Sequence, residues 1–239
     1  MAIRNDSGIV LRSYPFGEAD RVVVLLSPHH GKLRTVAKGV RKTSSRFGGR
    51  LEPFSHVEVV LYEGRNLDTI TQAESVSVFP ALRSDLNKVM AASAMVEAID
   101  AVAQEKEPSL ALFGLLEDAL GVLEANPYHP EIVTAFLLNL ARIIGVAPSL
   151  DRCAACGGTA DLNGFSFEGG GAVCSRCGGR SSMRLRPEIM GYLSRLASVS
   201  LGDLPEVDEG LHVDALGLMR RFVEYHIDRR LASLVVLDL

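Results

Sequence analysis

The stretch DRVVVLLSPHHGKLRTVAKGV, residues 20–40, holds two runs of strand-forming residues on either side of a turn. Val, Leu and Thr dominate the runs 20–27 and 32–40, and a Pro-His-His-Gly segment separates them, so the stretch predicts a β-hairpin. Similar runs occupy residues 7–14, 55–62 and 67–79, again separated by clusters of Gly and Pro. Five short strands in succession suit a small closed barrel, because closure leaves no exposed sheet edge.

Two kinds of five-stranded barrel fit this pattern. The oligonucleotide-binding (OB) barrel is the first choice, and an SH3-like barrel is the alternative.

After Pro80 the pattern changes to that of helices. Between residues 86 and 104 the polar residues recur at steps of three and four, which predicts a helix with one polar stripe that includes Glu97 and Asp100. Further helices are predicted at 109–125, 131–144, 188–197 and 212–234.

The cysteines form two matching turns, CAACGG from Cys153 to Cys156 and CSRCGG from Cys174 to Cys177. A C-x2-C turn points two thiolates at one place, and we expect the glycine after each second cysteine to adopt a positive φ. Four thiolates form a tetrahedral site of the kind that zinc prefers, so the spacing predicts one structural Zn²⁺. Because four ligands fill the coordination sphere, zinc catalysis is not expected. The alternative is a degenerate ribbon with free thiols or disulfides.

The predicted fold class is therefore α+β and multidomain, with an N-terminal OB-type β-barrel, an α-helical domain and an inserted four-cysteine zinc ribbon. Each part corresponds to a stretch of the chain. The predicted domains are the nucleic-acid-binding barrel 1–79, the first part of the helical domain 80–150, the ribbon 151–183 and the C-terminal part of the helical domain 184–239.

Charge is distributed unevenly along the 239 residues. The whole chain has a net charge of −4, yet residues 1–50 hold ten basic and three acidic residues, and residues 32–50 hold seven basic residues and no acid. Nucleic-acid binding depends on the field at one face and not on the total charge. Cations mixed with hydroxyls and glycines suit phosphate contacts, whereas the alternative is a solvated strand and loop. The candidate DNA contacts are Lys32, Arg34, Lys38, Arg41, Lys42, Arg46 and Arg50.

Aromatic residues beside these cations are candidates for stacking on the bases of a single strand. Phe47 and Phe16 lie in predicted loops, so either side chain could stack. For Tyr14 we favour packing in the barrel. Phe47 is accordingly included among the candidate DNA contacts, with packing as the alternative.

Other classes of protein are disfavoured. An apolar fraction of 47% with 23% charged residues excludes a disordered chain. The longest apolar helical run, 132–141, is too short to span a membrane, and no secretory signal is visible, so we expect a cytoplasmic, nucleoid-associated protein. No nucleophile motif or carboxylate cluster lies near the basic segment, and His56-x-Glu58 is too far from the cysteines for a deaminase. We therefore expect a protein that is not an enzyme and has no small-molecule substrate.

Several stretches together resemble a known family over nearly the whole chain, the bacterial RecO recombination mediators. The resemblance rests on GIVLR at 8–12, GEADR at 17–21, the segment 31–42, SRF at 45–47, LEPF at 51–54, the two cysteine turns and YHI at 225–227. Within the basic segment, Lys38, Arg41 and Lys42 match the family's basic positions most clearly.

The resemblance implies a fold and a set of partners. Proteins of this family bind single- and double-stranded DNA, anneal complementary strands, and act with RecR and with the acidic C-terminal tail of the single-strand DNA-binding protein (SSB) to help load RecA. The leading interpretation is a non-catalytic DNA-binding mediator of repair. The alternative is a zinc-ribbon protein of transcription or RNA handling, and the third class is a nuclease or another hydrolase.

Overall fold

The computed structural model describes residues 2–42, 45, 47–179 and 182–237. The chain forms two compact units, one of residues 1–92 and 96–125 and the other of residues 93–95 and 126–239. Each unit is described by itself below. Among the described residues, no helix combines the length and the apolar character that crossing a membrane requires.

The first unit is built on a closed five-stranded barrel. The strands close in the order β1-β2-β3-β5-β4, and β1 pairs with β4 to complete the ring. Neighbouring strands are antiparallel except for β3 and β5, which are parallel. This order and this single parallel pair are those of the OB fold, so the first-choice barrel is confirmed. The strands are β1 Ile3–Phe16, β2 Asp20–Ser27, β3 Gly31–Ala37, β4 His56–Tyr62 and β5 Asp68–Ser77.

Alternation along the strands fills the barrel with apolar side chains. Val23 and Leu25 of β2 lie opposite Thr35 and Leu33 of β3, and all four side chains are buried. The hydroxyl of Thr35 donates a hydrogen bond of 2.8 Å to the carbonyl oxygen of Val23, which satisfies the polar atom inside the barrel.

Three helices follow the barrel: α1 Pro80–Ser84, α2 Leu86–Val102 and α3 Leu110–Ala125. They belong to the first unit except for residues 93–95 of α2. Asp85 caps the N-terminus of α2, because its carboxylate accepts a hydrogen bond of 2.8 Å from the backbone N–H of Asn87. α1 packs against α3.

The second unit combines four helices with a small sheet. α4 packs against α5 and α6, and the sheet has the strand order β7-β6-β8. β6 and β7 form an antiparallel hairpin between the two cysteine turns, and Phe165 of β6 meets Phe222 of α6 edge to face at 5.5 Å. The elements are α4 Ile132–Ile143, β6 Leu162–Ser166, β7 Gly171–Cys174, β8 Met183–Arg184, α5 Glu188–Ala197, α6 His212–Ile227 and α7 Ala232–Leu237.

The prediction of one continuous helix over residues 212–234 is wrong. α6 ends at Ile227 because Asp228 takes a left-handed conformation, with φ 49°. The carboxylate of Glu224 then accepts a hydrogen bond of 2.8 Å from the backbone N–H of Leu231. This bond stabilises the turn between the two helices, and the apolar period continues across it because Leu231 and Leu234 are both buried.

Candidate nucleic-acid interface and metal centre

Most of the predicted DNA contacts lie on the surface of the barrel. The side chains of Arg34, Lys38, Arg41, Lys42 and Arg50 are exposed. Arg46 lies outside the residues that the structure describes. The exposed cations follow β3 and the segment that leaves it, which is the part of the chain where the sequence carries no acid.

Residues 38–42 are held against the loop between β1 and β2. The backbone N–H of Arg41 donates to the carbonyl oxygen of Ala19 at 3.0 Å, and the N–H of Gly39 donates to the carboxylate of Asp20 at 2.8 Å. Gly39 has a φ of 67°, a conformation that residues with a Cβ rarely adopt. The two loops therefore present one joint surface, which we call the basic loop surface, and Phe16 stands beside it with 49% of its area exposed.

The prediction that Phe47 stacks on bases is wrong. Its side chain is 1% exposed and belongs to the apolar cluster inside the barrel, where it packs with residues such as Leu33, Leu51 and Ile70. A base cannot reach a ring that is enclosed on all sides by the barrel core. The segment 38–55 thus has two roles, since its cations face solvent and its Phe47 and Leu51 close the core.

Lys32 is occupied by a contact inside the first unit. Its ammonium group donates a hydrogen bond of 2.7 Å to the carbonyl oxygen of Asp100 and lies 3.4 Å from the carboxylate of the same residue. Arg12 donates to that carboxylate at 2.8 Å. Asp100 is 5% exposed, so these two cations neutralise a buried charge on the polar stripe of α2. Lys32 is therefore a structural tie first, and phosphate contact would compete with this role.

The four cysteines converge on one point, as predicted. Their sulfur atoms all lie within 4.8 Å of one another, and those of Cys156 and Cys174 are 3.9 Å apart. A tetrahedral site with metal–sulfur bonds of about 2.3 Å requires sulfur atoms about 3.8 Å apart. A disulfide requires about 2.05 Å, so the geometry fits a shared metal ion and not a disulfide. Cys153, Cys156, Cys174 and Cys177 are positioned to hold one metal ion.

The two turns have the same backbone hydrogen bond but differ at their glycines. The N–H of Gly157 donates to Cys153 and the N–H of Gly178 donates to Cys174, both at 2.8 Å. Gly157 has the predicted positive φ, at 74°. For Gly178 that prediction is wrong, and the reason for glycine is space, because an added Cβ would lie 3.3 Å from the carbonyl oxygen of Cys174.

Hydrogen bonds around the four sulfur atoms shift the pKa values of individual thiols in opposite directions. Backbone N–H groups that donate to its sulfur, first that of Cys174, lower the pKa of Cys153 to about 6. Hydrogen bonds from Cys177 to the other sulfurs, first to Cys174, raise the pKa of Cys177 to about 12. Four thiolates this close repel one another, so all four ionise together only around a positive ion.

Ser7, His56 and Glu117 are hydrogen-bonded in the order of a hydrolase triad, but the charges around them do not suit acyl transfer. With its proton on Nδ1, His56 donates to the carboxylate of Glu117 at 3.2 Å and accepts a hydrogen bond of 2.8 Å from the hydroxyl of Ser7. The sequence analysis did not find these three hydrogen-bonded side chains because the residues are far apart along the sequence. The cavity beside Ser7, about 420 Å³, is also lined by Glu58 and Glu74. These carboxylates would repel the oxyanion of acyl transfer, so we interpret the cluster as a polar tie between the barrel and α3.

The architecture just described, an OB-type barrel with a basic loop surface and a helical unit with a four-thiolate centre, defines a multidomain OB-fold protein. Residues 1–79 match the family described as "Recombination protein O N terminal", and residues 83–234 match "Recombination protein O C terminal". The chain belongs to the RecO family, and the resemblance predicted from the sequence is confirmed.

Curated relatives agree over the full length. The DNA repair protein RecO of Nocardioides sp. (strain ATCC BAA-499 / JS614) is 40% identical, and the match covers 98% of each chain. The DNA repair protein RecO of Bifidobacterium animalis subsp. lactis (strain AD011) is 39% identical over 100% of both chains. That of Frankia casuarinae is 37% identical over 100% of this chain and 99% of the relative.

Proposed function

We propose that this protein is a non-catalytic recombination mediator in DNA repair, which binds single- and double-stranded DNA and promotes the annealing of complementary strands. We further propose that it acts with RecR and with the SSB tail to load RecA, in the cytoplasm at the nucleoid. The observation that carries the proposal is membership of the RecO family over the whole chain. The OB barrel with an exposed row of cations supports the DNA-binding part.

Phosphate contacts explain binding to both forms of DNA. The exposed cations Lys38, Arg41 and Lys42 have no acid near them in sequence and are held on the basic loop surface. Lysine and arginine contacts to phosphate position a strand without reading its sequence. We therefore expect low sequence preference, which suits a protein that must act at any site of damage.

Single strands would gain an additional contact from Phe16. This ring is 49% exposed at the end of β1, next to the loop that bonds to Arg41. Stacking of a base on an exposed aromatic ring contributes about 1–3 kcal/mol and is open only to unpaired bases. Phe16 thus replaces Phe47 as the stacking residue that we propose.

For the metal centre we propose one Zn²⁺ with a structural role. Four thiolates are the donor set that zinc prefers in structural sites, and they leave no position for a substrate. The hairpin between the two turns contributes Phe165 to a shared core with α6, so the metal would fix the turns while the ring anchors the hairpin. The division into four functional segments, 1–79, 80–150, 151–183 and 184–239, stays a prediction.

For the SSB tail we propose a cleft in the second unit. An acidic segment with an apolar end requires an apolar recess beside a cation. A recess of about 70 Å³ has such a lining, and the guanidinium group of Arg142 is held at its border by a hydrogen bond of 2.9 Å to Asn139. The residues that line it are Leu138, Asn139, Arg142, Ala147, Pro148, Leu150 and Ala197.

Salt dependence of DNA binding tests the main proposal. We expect the affinity of the full-length protein for fluorescent single strands to fall with a slope of about −0.7 in log K against log[salt] for each phosphate contacted. Replacing Lys38, Arg41 and Lys42 by Ala together should flatten this slope by about 2 and weaken binding to all sequences alike. Wild-type affinity and slope in this variant would overturn the proposed DNA surface. A competing RNA strand of the same sequence tests the alternative role in RNA handling.

A further inference from the structure

A second group of cations surrounds a cavity at the opposite end of β3 from Lys38. The cavity has a volume of about 350 Å³, which lies within the range of ligand-binding sites. Its walls are the loop 63–67 between β4 and β5, the turn between β2 and β3 with the first residues of β3, and residues 105–106. In OB folds the loop between the fourth and fifth strands borders the surface that binds oligonucleotides.

The charges in this cavity leave a positive excess. Asp68 is paired with Arg4 at 2.7 Å, and Glu105 lies 3.9 Å from Arg34. The ion pairs found among the described residues do not include Arg65 or Lys106, and both side chains are exposed. Lys32 is tied to the carboxylate of Asp100, so the balance that remains is Arg65 and Lys106 against Glu63, a small positive excess. The basic residues of the lining are Arg4, His29, His30, Lys32, Arg34, Arg65 and Lys106, and the acidic ones are Glu63, Asp68 and Glu105.

The fold places Lys106 at this cavity by a close backbone approach. The N–H of Lys32 donates to Gln104 at 3.0 Å, and the N–H of Lys106 donates to Lys32 at 3.4 Å. Gly31 permits the approach, since it has a φ of 68° and an added Cβ would lie 2.2 Å from the carbonyl oxygen of Glu107. Lys106 itself has a φ of 63°, a strained conformation for a residue with a side chain. Strained residues are concentrated at functional sites.

We propose that this cavity binds a phosphate group of a DNA strand, with Arg65 and Lys106 as its ligands. The proposal rests on the DNA-binding function proposed above and extends its surface beyond the basic loop surface. Arg34 lies between the two, because it lines the cavity from β3 and Lys38 directly follows the end of that strand. At about 3.3 Å per residue, Lys32 and the residue that follows the end of β3, Lys38, are about 20 Å apart along the chain. A strand of several nucleotides spans that distance, in keeping with the ~4–16 nucleotides that an OB fold occupies.

The test removes the two charges of the cavity without straining the backbone and compares the result with removal of two charges elsewhere on the protein. In the full-length protein, Arg65→Ala is combined with Lys106→Gly, since glycine accepts the positive φ at position 106. The control pair is Arg184→Ala with Arg229→Ala, two exposed arginines of the other unit that lie outside the cysteine turns. Binding of a fluorescent 20-nucleotide oligothymidine is measured across a salt series. The loss of two phosphate contacts should flatten the slope by about 1.4 and weaken binding at 0.1 M relative to 1 M salt by about 25-fold.

Two further DNA probes identify the source of the phosphate. A circular single strand has no ends, so a defect that persists on it assigns the cavity to an internal phosphodiester. A defect confined to oligonucleotides with a 5′- or 3′-phosphate assigns it to a terminal phosphate. An unchanged slope in the Arg65/Lys106 variant, or an equal change in the control pair, would overturn the proposal. If the Lys38/Arg41/Lys42 variant still shows its defect, the proposed function stands and only the phosphate cavity fails.

Discussion

The two phenylalanines of the proposed DNA-binding region offer a direct comparison between a buried and an exposed ring. Phe47 is 1% exposed in the barrel core, whereas Phe16 is 49% exposed beside the basic loop surface. Truncation of a buried phenylalanine to alanine costs about 3–5 kcal/mol, because it removes apolar contacts and leaves a cavity. Against a total stability of about 5–15 kcal/mol, Phe47→Ala should therefore destabilise the barrel severely.

Phe16→Ala should have the opposite pattern. An exposed side chain contributes little to folding, so the free energy of unfolding should change by less than about 0.5 kcal/mol. If Phe16 stacks on a base, the affinity for single strands should fall by about 1–3 kcal/mol, which is about 5- to 150-fold. Affinity for duplex should change little, because paired bases do not expose their faces.

The assay must separate stability from binding. Since the two units need not unfold together, hydrogen exchange of β2 and β3 peptides over a urea series measures the stability of the barrel by itself. DNA affinity is then measured without urea. If Phe47→Ala left exchange in the barrel unchanged and weakened single-strand binding, the ring would be a stacking residue and our account of the core would be wrong.

Three further predictions concern the metal centre, the buried histidine and the tail cleft. Cys153→Ser should release the zinc measured by elemental analysis and speed hydrogen exchange over 151–183 while the barrel stays folded; retained zinc would refute a four-cysteine site. Burial lowers the pKa of His56 despite the neighbouring Glu117, so the folded state binds fewer protons than the unfolded state, and stability is lost as pH falls through about 6.5 toward the lower folded value. His56→Gln should remove that loss, at most about 1.4 kcal/mol per pH unit in thermal or urea unfolding, and an unchanged pH profile would exclude His56 as its source. Arg142→Ala should weaken binding of an SSB-tail peptide at least about tenfold, whereas Arg229→Ala should not; equal binding by both variants would displace the tail from the cleft.

The features that the sequence predicts well are those set by neighbouring residues. The strand over residues 20–27 is found at the predicted positions, and so is the helix over 188–197. The metal site follows in the same way, because a C-x2-C turn fixes where its two sulfurs point, and two such turns need only meet. Family membership also lies in the sequence, since the order and spacing of the matching stretches carry it.

Tertiary structure decides which side of a segment faces the core. Phe47 lies among seven cations in sequence, and a loop pattern carries no period from which burial can be predicted. The partner of Lys32 is likewise invisible in sequence, because Asp100 lies 68 residues away on a helix whose polar stripe looks solvated. Only the packing of α2 against the barrel turns that stripe into a buried ion pair.

The cavity proposed to bind phosphate shows the same division. Arg65 and Lys106 are unremarkable in sequence, since each has an acidic residue within two positions and both lie outside the basic segment. They line one cavity because β5 returns parallel to β3 to close the barrel and because residues 104–107 cross Gly31 at backbone contact distance. Local sequence thus determined the strands, the helices and the cysteine turns, whose causes act over a few residues. The barrel closure, the buried ring and the cationic cavity depend on contacts between distant segments, which only the folded chain brings together.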